Sequence, residues 1–378
     1  MAVRPIRRSD YAALNALHRQ VGWPERSEAG WRWLEANPAR RDLDAPTGWV
    51  VVDEADAPRA MLGNLVQRFR RGPEVLYAAT GFSIIVPPER RGASRPLIKA
   101  ILAQSGLFAC YTLNANARSA PLYPLFGFKP APAQTHALKL AWRVDPLTCA
   151  KGRLLRGLLG GVSAETARRL GDRLMNRRLF KPRRLKLPDG VRVLTDLGEG
   201  SPYADFWRAL VAEGRLIADR SPEIMAWRMS DPDMTLAPVV LGLFHRDRLQ
   251  GVALAHMNKT RLIDPPCLDI LDLAALDGAD DAIEILARTL IDNARGLGAA
   301  KVRLQVTTPL MLERLGPLAA KARREGGWGH GHAVFRDPVS AEEWSPTPFD
   351  GDYAVCLRPV PAPRRSSIRR EIERDAAV

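Results

Sequence analysis

Apolar and polar positions follow two different periods along residues 1 to 143, and the changes of period mark the elements. Arg4 to Arg7 reads as a short strand, Ser9 or Asp10 caps a helix running to Gln20, and Ser27 caps a second helix to Ala36 that Pro38 stops. Apolar runs at Gly48–Val52, Ala60–Arg68 and Val75–Val86 predict three strands. The turn residues between them, Asp56, Pro58 and Gly72-Pro73, predict an antiparallel meander. After Pro87-Pro88 a loop holding Gly92 leads into a helix from about Arg95 to Gln104, then a strand at Leu107–Leu113 and a short helix near Ala117–Leu125. Phe126–Phe128 and Ala137–Trp142 are expected to close this sheet.

Between residues 144 and 188 the period becomes helical and basic, with Leu154, Leu155, Leu158, Leu159, Leu170, Leu174 and Met175 forming an apolar stripe among arginines. From Gly190 the element order recurs. Ser221 precedes Trp227-Arg228-Met229 and Asp231-Pro232 as Ser27 precedes Trp31-Arg32-Trp33 and Asn37-Pro38, and Gly251 is placed like Gly63. Strands are expected at Val239–Phe244, Gln250–His256, Leu268–Ala274 and Lys301–Val306, with a long helix from Asp280 to Gly296. The pattern reads as a degenerate internal repeat. It predicts an α/β (α+β) chain of two related domains, 1–143 and 189–358, each a mixed, mostly antiparallel twisted sheet flanked by helices. A basic amphipathic helical linker (144–188) joins them, and a flexible basic tail (359–378) follows.

Composition adds three limits. The 378 residues suffice for two domains with cores of their own, and 46% hydrophobic with 26% charged residues excludes wholesale disorder. No apolar run reaches 18 residues and the opening MAVRPIRRSDY has no apolar stretch behind its charges, so a cytoplasmic protein is expected. Cys110, Cys149, Cys267 and Cys356 are far apart, which predicts reduced thiols and neither a disulfide framework nor a thiolate zinc site. The formal charge of +14 invites an anionic partner, yet 144–188 alone carries twelve basic residues against three acidic. The excess therefore describes the linker, which could rest on an anionic membrane surface. Because only 9 of the 56 cations are lysines, an arginine-rich codon bias also accounts for the charge, and nucleic acid is not the expected partner.

The most specific local pattern is Asn116-Ala-Arg-Ser-Ala-Pro-Leu-Tyr123-Pro-Leu-Phe-Gly127-Phe128. It resembles the N-x-x-A-x-x-L-Y-x-x-x-G-F motif of the GNAT (N-acetyltransferase) superfamily, with Ser119 in place of alanine. The resemblance extends to the element order of residues 1–143 and more faintly to 190–358. It implies tandem GNAT-like domains, the second degenerate, and a direct transfer from acetyl-CoA to the amine of a small molecule or sugar. It also implies that Tyr123 is the general acid for the departing thiolate and that Asn116, which can cap the helix, belongs to the coenzyme A site; the plain alternative is that Tyr123 packs on Phe128. Pro121 and Pro124 depart from a helical pattern and require a short or bent helix.

The loop Glu89-Arg90-Arg91-Gly92-Ala93-Ser94-Arg95 lies between a strand and a helix, where free amides and the helix dipole favour a phosphate. The family's loop reads Arg/Gln-x-x-Gly-x-Gly/Ala, so Glu89 stands against the pattern while Arg91, Gly92, Ala93, Ser94 and Arg95 are candidates for the pyrophosphate of coenzyme A. In the same resemblance the main chain of the preceding strand, with Phe82, Ser83, Ile84, Ile85 and Val86, holds the pantetheine arm. No acidic residue on Tyr77–Val86 offers a base, and Glu25, Glu28 and Glu74 are near only in sequence. In the second half Asp277, Asp280 and Asp281 occupy the corresponding loop and would repel a phosphate, so that copy is not expected to bind coenzyme A. No metal is expected, and Gly329-His330-Gly331-His332 reads as strand or turn. The competing class is a noncatalytic scaffold that uses its basic linker on nucleic acid or anionic membrane.

Overall fold

A computed structural model describes residues 2–159, 161–176, 178–179, 182–279, 281–336 and 338–358; the expected tail at 359–378, and Arg177, Lys181 and Asp280, lie outside the described residues. The first half contains β1 (Ala2–Pro5), α1 (Tyr11–Gln20), α2 (Glu28–Glu35), α3 (Pro38–Asp42), β2 (Gly48–Val52), β3 (Pro58–Arg71), β4 (Glu74–Ile85) and α4 (Ser94–Leu102). It continues through β5 (Ala109–Thr112), a 3-10 helix (Ala120–Phe126), β6 (Lys129–Pro130) and β7 (Leu138–Arg143). Helices α5 (Pro146–Leu158) and α6 (Ala164–Met175) follow, within residues 144–188. The second half has β8 (Val191–Val193), α7 (Pro202–Ala212), β9 (Leu216–Ala218), α8 (Pro222–Met229), β10 (Val239–His245), β11 (Arg248–Asn258) and β12 (Cys267–Ala275). Helix α9 (Ala282–Leu297), β13 (Lys301–Leu304), α10 (Pro309–Leu315), α11 (Pro317–Lys321), β14 (Arg323–Gly326) and β15 (His332–Phe335) complete it.

Local chemistry sets most boundaries. Ser27 accepts a hydrogen bond from the Gly30 amide, so the expected cap forms, and Ser221 of the matching motif caps α8 in the same way through the Ile224 amide. Pro38 does more than stop a helix: Asn37 caps the Ala39 amide and Pro38 starts α3, where its missing N–H is no loss. Asp10 makes no side-chain cap for α1, because its carboxylate accepts from the Arg4 guanidinium and the Arg7 amide.

Two sheets result. The first has the order β1-β2-β3-β4-β5-β15-β6, with β9 added to the far end of β3; the second has the order β14-β7-β13-β12-β11-β10-β8. Each contains one parallel pair among antiparallel ones, β4 with β5 and β12 with β13, at the same place in the order. The strands next to one edge of each sheet, β7 and β15, are exchanged. β7 does not close the first sheet as expected but lies between β13 and β14, while β15, from the second half, fills the slot between β5 and β6. Alternation along β7 specifies a strand whose Leu140 and Trp142 must be buried, and both pack under α9 with Val302 and Leu304. It does not specify which sheet.

Helix α4 covers one face of the first sheet through Leu97, Ile98 and Ile101, and α9 covers the second through Ile283, Leu286 and Leu290. A mixed cluster including Phe69, Tyr111, Phe206, Leu254 and Phe349 fills the space between the halves. The two W-R motifs meet: Trp33 stacks on Trp227 with centroids 4.6 Å apart, and each indole N–H donates to the other residue's carbonyl, at 2.6 and 2.9 Å.

Candidate active site

The site begins where two strands part. β4 and β5 pair only from Ala78/Ala109 to Thr80/Tyr111, yet β4 continues to Ile85. A bulge in β4 places Ser83 and Ile84 opposite the single residue Leu62, with Ser83 at φ 49°. Gly63 makes the bulge possible, since a Cβ there would lie 2.4 Å from the Phe82 ring. The opening is a cavity of about 550 Å³ lined by Gly81, Ser83, Ile84, Thr112, Asn116 and Tyr123 from the first half. Thr260, Trp328 and Asp352 close it from the second.

The Asn116 motif positions Tyr123. The Asn116 side chain accepts from the Arg118 and Ser119 amides at 2.9 and 3.0 Å, so it caps the turn as expected. The helix that follows is 3-10, with Pro124 inside it, and Gly127 ends it at φ 82°. Tyr123 is buried, packs edge-on against Phe128 and stacks on His332 with centroids 5.5 Å apart at 17°. Burial pushes its phenol up to about 12, while hydrogen bonds with Thr112 and Ser119 pull the other way. Packing on Phe128 and facing the cavity are therefore the same placement.

The other candidates divide. Ile84 lines the cavity, whereas Ile85 pairs with Met61 and its side chain is buried among Leu14, Trp31 and Leu65. Val86 is half-buried beside the α4 cluster. Arg91, Gly92 and Arg95 are exposed, Ser94 is half-buried and Ala93 is buried. None of residues 85 to 95 lines the cavity, which ends at Ile84. Among the described residues the Arg91, Gly92 and Ser94 amides have no hydrogen-bond partner, α4 has no side-chain cap, and Gly92 (φ 95°) faces open space. This helix start suits a pyrophosphate. Glu89 is exposed in the preceding 3-10 turn (Pro88–Arg90).

Several groups at the site escape a sequence reading. Asp352 lines the cavity; its Oδ2 accepts from the Cys356 thiol at 2.9 Å, its Oδ1 is buried without a partner, and burial raises its pKa from the ordinary carboxylate value. His18 also lines it, held toward the neutral form by burial. A second cavity of about 420 Å³ adjoins the first, sharing Asn114, Thr260, Trp328 and Arg358 with it. Arg153 and Arg156 of α5 line this second cavity, so part of the positive charge of residues 144–188 faces a cavity. Lys139 lies there too, with Nζ over the faces of Trp328 and Tyr353. The alternation K-V-R at 301–303 and K-L-A-W-R at 139–143 carries the only signal in the sequence: cations on one face of strands whose other face is core.

The parting of β12 and β13 in the second sheet is smaller, a cavity of about 280 Å³ whose lining includes Leu273, Ala275, Ile283 and Met311. At its loop Asp277 pairs with Arg215 and Arg314.

No protein-family model and no curated protein matches the sequence. Solved structures do. A GCN5-related N-acetyltransferase from Anabaena variabilis superposes with a TM-score of 0.51 at 17% identity, over 88% of this chain and 72% of that one. N-myristoyltransferase from Saccharomyces cerevisiae, solved with bound myristoyl-CoA, gives 0.52 at 13% identity, over 88% and 77%. A probable N-acyltransferase of Enterococcus faecalis, described as a conserved protein of unknown function, gives 0.50 at 10%, over 88% and 72%. No helix among the described residues is long and apolar enough to cross a membrane. From its sheet order, its parted strands and these likenesses, the chain has the fold of the GCN5-related N-acetyltransferases.

Proposed function

We propose that the chain is an acyl-CoA-dependent N-acyltransferase, with acetyl-CoA as donor and an amine-bearing small molecule or sugar as acceptor. The supporting observation is the cavity between β4 and β5 with Tyr123 buried in its wall. The donor's pyrophosphate rests on the free amides of Arg91, Gly92 and Ser94, flanked by Arg95, and its arm runs along the β4 main chain at Ile84, Ile85 and Val86. When bound, the thioester supplies the acyl group; a C–N bond forms as the C–S bond breaks. Tyr123, whose raised pKa keeps it protonated at neutral pH, gives its proton to the leaving sulfur. Asp352 takes the amine proton, directly or through one water, since it lines the same cavity as Tyr123 with its Oδ1 unpartnered. The second sheet is a degenerate copy that binds no donor of its own, with Asp277 in place of a phosphate loop.

Tyr123→Phe tests the assignment. Turnover should fall about 10²-fold or more, with KM for acetyl-CoA changed by less than about threefold; unchanged turnover removes Tyr123 from the acid role. Coenzyme A should raise the melting temperature of the full chain, and no shift at millimolar ligand overturns donor binding. A second reading, a noncatalytic protein docked on anionic membrane, draws support from Leu147, Leu154, Leu158 and Leu174, exposed on α5 and α6 among arginines. Sedimentation with anionic vesicles but no melting shift with coenzyme A would favour it.

A further inference from the structure

The second cavity has a composition that the acyl-transfer reading leaves unused. Eight cationic side chains line it against two carboxylates, Asp264 and Glu325. Those two, and Asp269 behind the wall, are already taken: Arg156 pairs with Asp264 at 2.7 Å, Lys301 with Glu325 at 2.8 Å, and Arg303 with Asp269 through two contacts of 2.5 and 2.7 Å. Among the described residues, Lys139, Arg143, Arg153, Arg323 and Arg358 have no ion-pair partner.

Their placement has a direction. Arg358 lines both cavities, and Lys139 lies beside Trp328, another shared wall residue. Arg143, Arg153 and Arg323 are exposed farther out. The basin thus opens onto the cavity that contains Tyr123, and it shares no residue with the Gly92 loop. Five like charges around one cavity repel one another and any cationic acceptor, and an anion relieves that repulsion. Guanidinium groups suit a phosphate, which can accept from several donors at once.

Resting on the acyltransferase reading, we infer that the acceptor is an amine bearing a phosphate group, with its phosphate held in the basin by Arg143, Arg153 and Arg323 while its amine reaches the cavity beside Tyr123. Lys139 supports this, since burial first, then Arg358 and Arg303, pull it down to about 8, as expected of a cation awaiting an anion.

The test is calorimetric titration of the full chain, presaturated with coenzyme A, with three probes: ethanolamine, phosphoethanolamine and β-alanine. Phosphoethanolamine should bind at least tenfold more tightly than either of the others. Its affinity should fall steeply with salt in the wild type, and at least tenfold in Arg143→Gln/Arg153→Gln/Arg323→Gln, with coenzyme A affinity unchanged. Arg192→Gln, whose partner is the exposed Asp247, should leave every value as it was. Thiol release from acetyl-CoA should show the same order in KM. Equal binding of ethanolamine and phosphoethanolamine overturns the inference, and so does β-alanine matching phosphoethanolamine, which would assign a carboxylate. Loss of coenzyme A affinity in the triple variant would assign the basin to the donor and overturn it as well. If the wild type binds no coenzyme A, the acyltransferase reading fails by itself, and phosphoethanolamine titrated without coenzyme A still decides the basin.

Discussion

Lys139 offers a measurement that needs no substrate. Its ammonium is half-buried, donates to the Tyr353 hydroxyl at 3.2 Å and lies over the rings of Trp328 and Tyr353, while Arg358 and Arg303 repel it and Asp352 and Asp269 attract it more weakly. The balance lowers its pKa from 10.5 to about 8. A lowered lysine pKa means that the folded state holds fewer protons than the unfolded state between those values, so stability rises with pH across that window. Below pH 8 both states are charged and the full penalty is present; it is relieved as pH rises toward 10.5. For this shift the relief between pH 7 and pH 10 is about 2.5 kcal/mol, falling to roughly 1.5 where cation–π contacts offset part of the desolvation. Lys139→Met removes the titration and keeps the volume. Urea unfolding of both proteins at pH 7, 8, 9 and 10 cancels every other titrating group in the difference, which should move toward the wild type by that amount. A difference that stays flat within about 0.5 kcal/mol, or that moves toward the variant, would refute the electrostatic reading of the basin.

Three further perturbations test the architecture. Trp227→Ala removes the stack on Trp33 and one of the two reciprocal hydrogen bonds, and should cost about 3–5 kcal/mol in urea unfolding; a loss under about 1 kcal/mol would mean that the motif pair is not a structural joint. Arg220 is buried with Asp272 and Asp350, so Arg220→Ala leaves two carboxylates without their cation and should cost about 3–5 kcal/mol, the loss shrinking as pH falls and the carboxylates take up protons. A fragment of residues 1–143 lacks β15 and exposes β7, so circular dichroism should show it unfolded or aggregated; a cooperative melt would show that the exchange is dispensable.

The cap at Ser27, the meander of β2 to β4, the α4 boundary and the Asn116 turn were all legible because each depends on residues within a few positions of one another. Pro121 and Pro124 foretold a short or bent Tyr123 helix, and its 3-10 geometry is what the structure adds. The destination of β7 was not. Its alternation fits an interior slot of either sheet, and the choice depends on partners at Lys301–Leu304 and Arg323–Gly326, far along the chain. Asp352 was illegible for the same reason: nothing around Gly351-Asp352-Tyr353 signals chemistry until the fold brings it to a cavity whose other wall is Gly81 and Tyr123.

The exchange of β7 and β15 also decides what each half contributes to the cavities. Had β7 stayed in the first sheet, Lys139 and Arg143 would stand beside β5, and the basin would lose the strand that joins β13 to β14. Had β15 stayed in the second, Tyr123 would lose the His332 ring on which it stacks. Under the proposed function each half therefore completes one composite site: the first carries the parted strands, the free helix start, the tyrosine and, on β7, Lys139 and Arg143, and the second carries Arg303, Arg323, Arg358 and Asp352. Under the proposed function, substitutions that loosen the Trp33–Trp227 joint should therefore raise the acceptor KM before they weaken coenzyme A binding. The donor groups lie within the first half, whereas the acceptor must bridge the two.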